Sequence, residues 1–186
     1  MENAGNENFT RQLEAWIQDH LLPHTYKVAK GEYLTQTGEV ENHIYYLVKG
    51  AVKVAILASG EERILDFWFA PSFFSSYTSF IQRTPSKVYI QTLDKCEIAH
   101  IEYEAVQQGY QSSLFFNQVG RVMAERLFML KTKREIDFLT KTAEERYAEL
   151  LNASPEIIQK VPVHQIARYL GIHPESLSRI RKKLFS

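Results

Sequence analysis

Seven polar side chains are packed into the nine residues from Glu175 to Lys183: Glu175, Ser176, Ser178, Arg179, Arg181, Lys182 and Lys183. Leu177, Ile180 and Leu184, at i, i+3 and i+7, give the same stretch an apolar helical face, so the polar set lies on the solvent side. That chemistry suits a DNA major groove. Arg179 can donate to a guanine edge, Glu175 can accept from cytosine, Ser176 and Ser178 serve either base, and Lys182 and Lys183 meet phosphate; His173 stands just ahead in the turn. A second apolar set, Ile166, Ala167 and Leu170, predicts a preceding short helix. Gly171 sits where a helix end needs positive φ, and Pro174 where a first helical turn tolerates a missing N–H. The stretch from Val163 to Ser186 therefore reads as a helix-turn-helix.

Spacing alone fits equally well with a solvated helical end of a globular domain. Charge separates the two readings. Residues 157–186 carry six Lys/Arg against one acid, Glu175, a net +5 in a chain whose total is zero. A neutral protein with a basic terminus is expected to join a nucleic-acid module to a part that binds something else.

Other chemistry is thinly represented. Cys96 is the single cysteine, which excludes an internal disulfide and a cysteine-held cluster, and it is expected as a small buried strand residue. The histidines, His20, His24, His43, His100, His164 and His173, are scattered without metal-like spacing, so no metal ligands are assigned. No nucleophile and base stand together as a catalytic set, and the chain is not expected to be an enzyme. No apolar run approaches the roughly 20 residues of a membrane span, and a cytoplasmic protein without membrane partners is expected.

Several elements must position the basic helix. Residues 9–22 place Phe9, Leu13, Trp16 and Ile17 on one helical face, with Pro23 stopping the run. From Thr25 to about Ile101 short β-branched and aromatic runs alternate with glycine or polar turns, the pattern of a sandwich or barrel; Ala58-Ser59-Gly60-Glu61 reads as a hairpin turn. The hydroxyl-rich and aromatic segment Pro71–Pro85 either wraps a ligand or covers the barrel. Phe116, Val119, Met123, Leu127 and Leu130 then recur at steps of three and four on one long helix, about 112–139. A helix of that length spans roughly 40 Å, more than a small barrel covers, so part of the stripe is expected to be a dimer seam. Thr142 with Glu145 forms a capping-box pattern opening a further helix. Two domains follow: 1–139, holding the barrel and the long helix, and 140–186, holding the helix-turn-helix, with Val161 and Val163 as a short wing strand.

These residues resemble the Crp/Fnr bacterial transcription regulators across nearly the full length. Lys30–Val54 (KGEYLTQTGEVENHIYYLVKGAVKV) is similar to the cyclic-nucleotide-binding-type β-roll with its glycines at 31, 38 and 50, and Met123–Leu127 (MAERL) to the start of the dimerisation helix. The resemblance implies an α+β fold: an N-terminal double-stranded β-roll, a long central dimerisation helix and a C-terminal winged helix-turn-helix. It implies a homodimer on a palindromic operator in double-stranded DNA, with RNA polymerase as a further partner. Glu175, Ser178 and Arg179 match the E-x-x-S-R pattern of the oxygen-responsive branch, which reads TTGAT-like half-sites, whereas the cyclic-AMP branch has arginine where Pro174 stands here.

At the effector site the sequence departs from the family. The Gly-Glu and Arg-Ser pairs that hold a cyclic phosphate align with Ser75-Ser76 and Ser86-Lys87, and the central helix offers Leu130 and Lys131 to the adenine. Cyclic AMP is therefore not expected to bind, since the carboxylate for ribose and the arginine for phosphate are both missing. Ser75, Ser76, Arg83, Ser86, Lys87 and Leu130 outline a pocket for some other small effector, with Arg83 and Lys87 as its cations. The expected function is a homodimeric DNA-binding regulator gated by such an effector or constitutively competent. An enzyme built on the β-roll, or an interaction sensor with a vestigial DNA-binding motif, are the alternatives.

Overall fold

A computed structural model describes residues 2–184, with side chains from residue 7. The last two residues of the expected helix-turn-helix, 185 and 186, lie outside the described residues. Helix α1 (Glu2–His20) is followed by a short 3-10 turn at Leu22–His24 and eight strands: β1 (Tyr26–Val28), β2 (Tyr33–Thr35), β3 (His43–Lys49), β4 (Ala51–Ala58), β5 (Glu61–Phe69), β6 (Ser72–Phe74), β7 (Tyr89–Thr92) and β8 (Cys96–Glu102). A short helix α2 (Tyr77–Gln82) interrupts them after β6, so Pro71–Pro85 is part strand and part helix. The strands form two four-stranded sheets, ordered β1-β8-β3-β6 and β2-β7-β4-β5. Ser59 and Gly60, both at positive φ, make the tight turn expected between β4 and β5.

Strand alternation decides what each face of the first sheet does. On β3 and β8 one parity, Tyr45, Leu47, Cys96 and Ile98, is buried inside the roll. The other parity, Tyr46, Ala99 and Ile101, packs against Leu13, Trp16 and Ile17 of α1 and Leu21 just after it. Gly50, between β3 and β4, has φ of 103°, and a Cβ there would meet Cys96 Sγ and Asp94 Oδ1 at 2.7 Å. The thiol fills space beside a glycine, as a small buried residue should, and burial pushes its pKa up to about 11.

Helices complete the chain: α3 (Tyr103–Ser112), α4 (Leu114–Thr140), α5 (Ala143–Ala153), α6 (Pro155–Lys160), α7 (Val163–Leu170) and α8 (Pro174–Leu184). The capping box is present, since Thr142 Oγ1 accepts from Glu145 N at 3.2 Å while Thr142 N donates to Glu145 Oε2 at 2.8 Å. The expected wing is not. Val161 follows α6 and Val163 opens α7, and no strand occurs among the described residues after β8. Pro155 starts a helical turn, and Ile157 and Val161, four apart, are both buried while Gln159 between them is exposed, which is helical rather than strand periodicity.

Two compact units emerge: residues 1–52 with 68–122, and residues 53–67 with 123–186. The line between these units falls within α4 at 122/123, and the β4–β5 hairpin groups with the terminal helices. Within that second unit Lys131 Nζ bonds Asp66 at 2.8 Å and Arg168 bonds Glu62 at 2.6 Å. Arg134 Nη2 donates to the carbonyls of Ile64 and Tyr169 at 3.1 and 3.0 Å and stacks on the Tyr169 ring. The unit's core is Tyr147, Leu150, Ile157, Val161, Ile166, Ala167, Leu170 and Leu177.

Candidate effector site and nucleic-acid interface

The residues aligned with the phosphate site converge beside α2, and their protons are already committed. Ser86 Oγ donates to Val88 O at 2.7 Å, so across the 2.7 Å contact between Ser76 Oγ and Ser86 Oγ the Ser76 hydroxyl must be the donor. Ser75 donates to His43 O at 2.9 Å and Ser79 to Thr84 O at 2.5 Å. Thr35 donates to Glu41, a carboxylate only 2% exposed that also accepts from His43 N at 3.0 Å and faces Ser76 N at 3.5 Å. Arg83 is turned onto Glu41 O at 2.6 Å and Asn42 Oδ1 at 2.5 Å, and stacks on Tyr103. Lys87 is exposed, and Leu130 belongs to the other compact unit. Ser75, Ser76, Arg83 and Ser86 are thus engaged around one short segment of the first unit. Sequence reasoning missed Glu41: the acid at this site comes from the loop before β3, not from the positions aligned with the phosphate cassette.

A second cluster was hidden by sequence distance. His43 pairs directly with Glu102 across β3 and β8, and His100 stands two residues back on the same face. One ligand atom from each of the three side chains lies within 4.8 Å of the others, and the imidazoles meet edge to face at 4.5 Å. Burial, then the neighbouring His43, lowers the His100 pKa, while Glu102 opposes this. The scattered spacing of the histidines in sequence is corrected here by antiparallel register.

At the other end of the chain, Gly171 takes φ of 72° and joins α7 to α8, and Leu177 at 0% exposure anchors α8. His173, Glu175, Ser178, Arg179, Lys182 and Lys183 are exposed, and Ser176 is half-buried. Arg179 and Glu175 make no hydrogen bond or ion pair among the described residues, whereas Lys183 grips both oxygens of Glu144 at 2.8 and 2.9 Å.

Helix α4 has no buried residue over its 27 positions. Phe116 packs edge to face on Trp16 at 5.1 Å, so its part of the expected stripe serves its own fold. Val119, Met123 and Leu127 are half-buried. Phe128, Met129 and Leu139 are 71%, 69% and 80% exposed, and with Leu130 at 43% they leave apolar surface on several sides of the helix. No described helix is long and apolar enough to cross a membrane.

Residues 26–113 match the cyclic nucleotide-binding domain family. The CRP-like protein Clp of Xanthomonas campestris pv. campestris is 26% identical, over 92% of this chain and 83% of its own. Among solved structures, the c-di-GMP-responsive global regulator CLP of Xanthomonas campestris superposes with a TM-score of 0.68 at 22% identity, over 94% of this chain and 91% of its own. FixK2 of Bradyrhizobium japonicum gives 0.75 at 18%, over 87% and 83%. The superpositions show the fold, a β-roll of the cyclic-nucleotide-binding type continued by a helical region. Residues 26–113 thus carry a cyclic nucleotide-binding domain, and the chain as a whole is similar to CRP-like proteins and to regulators of the Crp/Fnr type.

Proposed function

We propose that the chain is a homodimeric, sequence-specific DNA-binding regulator acting in the cytoplasm, with α8 as the recognition helix and no catalytic role. The observation that carries the reading is the outward face of α8, where Arg179 and Glu175 are exposed and unengaged among the described residues on a helix seated by buried Leu177. Arg179 reads guanine, Glu175 the opposing cytosine, and His173, Ser176, Ser178, Lys182 and Lys183 complete the footprint. Dimerisation runs along α4, from the half-buried Val119, Met123 and Leu127 to exposed Phe128 and Leu130. A DNA-bound dimer would meet RNA polymerase as its further partner. Gel-shift competition at one fixed ionic strength tests the core of this: a TTGAT-like palindrome should outcompete a scrambled duplex. Equal competition by both would overturn it.

The effector is inferred to be something other than cyclic AMP. The relative CLP is c-di-GMP-responsive, but any phosphodiester placed at Ser76 and Ser86 would find the hydroxyl protons taken and the Glu41 carboxylate close by. Calorimetry with cyclic AMP and with c-di-GMP should give no saturable heat. A micromolar constant for cyclic AMP, roughly −8 kcal/mol, would show that this pocket rearranges to release its donors.

A further inference from the structure

We propose that His43, His100 and Glu102 form a binding site for a divalent first-row transition metal ion, stapling the start of β3 to the end of β8. Two imidazoles and one carboxylate with free coordination positions are a donor set for zinc, iron(II), cobalt or nickel. One carboxylate oxygen is too few for calcium or magnesium, which take six or more oxygens.

The geometry supports this on four counts. First, the three residues share one face of a paired two-strand segment, so backbone register and not loop flexibility holds them together. Second, their ligand atoms lie within 4.8 Å of one another, and donors about 2.1 Å from a tetrahedral ion stand about 3.4 Å apart. Small rotations of the exposed His100 and Glu102 side chains and the half-buried His43 close that difference. Third, the rings have outer partners. Tyr26 Oη lies 3.3 Å from His100 Nδ1, while Tyr45 Oη, fixed by donating to Leu34 O at 2.8 Å, lies 3.3 Å from His43 Nδ1, with Glu41 Oε1 3.8 Å from the same nitrogen. Such contacts orient ligating imidazoles, and each ring keeps a second nitrogen for the ion. Fourth, Glu102 precedes α3 in the N-cap position, yet its side chain makes no capping hydrogen bond. A carboxylate left out of the cap and facing two imidazoles is available as a ligand.

The test uses the full chain, stripped with chelator and titrated with cobalt(II), whose visible d–d absorption reports low-symmetry nitrogen and oxygen ligation. One cobalt per chain is expected, displaced by zinc, with a rise in melting temperature on zinc addition. His100→Ala and Glu102→Gln should each weaken cobalt at least about 10–100-fold, the loss that removal of even an outer partner causes. His164→Ala should leave the titration unchanged. His100→Gln provides a second variant of similar size, and circular dichroism checks that each is folded. No saturable d–d band in the parent chain, or equal cobalt affinity in folded His100→Gln and Glu102→Gln, would overturn the site. Because no DNA is present, either result stands apart from the regulator reading.

Discussion

The two polar regions of this protein differ in where their donors point. Beside α2, Ser75, Ser76, Ser79, Ser86, Thr35 and Arg83 all donate to acceptors of their own fold. On α8, Arg179 and Glu175 have no such acceptors or donors among the described residues. A group satisfied internally gains little from a ligand, since it exchanges one hydrogen bond for another, whereas an outward group exchanges only water. The comparison teaches that residue types alone do not mark a site; the bookkeeping of protons does.

The most severe way to break the comparison is to leave α8 intact and remove its symmetry. Phe128→Glu combined with Leu139→Glu should give monomers in sedimentation, and specific DNA affinity should fall on the order of 10³-fold, toward non-specific binding. A dimer that persists would restrict the seam to its half-buried part at Val119, Met123 and Leu127 and exclude Phe128 from it. Next, Glu41→Leu should destabilise the fold by about 2–4 kcal/mol in urea titrations, because the Thr35 hydroxyl and the His43 N–H would be buried without an acceptor. An unchanged midpoint would mean the α2 region is looser than its hydrogen bonds suggest. Arg179→Ala should cost about 1–3 kcal/mol on the matched palindrome and flatten preference at one base pair. An unaltered ranking of sequences would reduce Arg179 to a phosphate contact.

The smallest effect is local. Thr142→Ala should cost about 1 kcal/mol through loss of the cap on α5. Hydrogen bonds from the Thr142 backbone N–H and then its hydroxyl hold the Glu145 carboxyl below its ordinary 4.5. A lowered folded value contributes stability above the unfolded value and loses it as pH falls through the folded one. Thr142→Ala keeps the backbone N–H and loses only the hydroxyl's share, so the gap between parent and variant in urea titrations should narrow slightly below about pH 4.5.

What the sequence made legible is what local chemistry decides. The capping box, the Ser59-Gly60 turn, the Gly171 helix end and the strand alternation of β3 are all signalled within a few residues. The wing failed because two β-branched valines around Pro162 look like strand, while burial of Ile157 and Val161 on one helical face outweighs propensity. The His43, His100 and Glu102 cluster depends on the β3–β8 register across more than 50 residues, which no local signal encodes. Phe128 and Leu139 escaped the apolar stripe since a single period was traced where the helix is apolar on several sides.

The Lys183–Glu144 pair carries a consequence for thermodynamics in solution. DNA normally sheds about 0.9 of a condensed cation for each phosphate a protein neutralises. Lys183 brings its own counterion, and if it turns to a phosphate it leaves a bare carboxylate that recaptures a cation. Arg168 on Glu62 and Lys160 on Glu156 are similarly occupied. If the chain binds DNA as proposed, its net ion release should fall below the number of basic residues on the terminal helices, and its affinity should resist changes in ionic strength more than its charge implies.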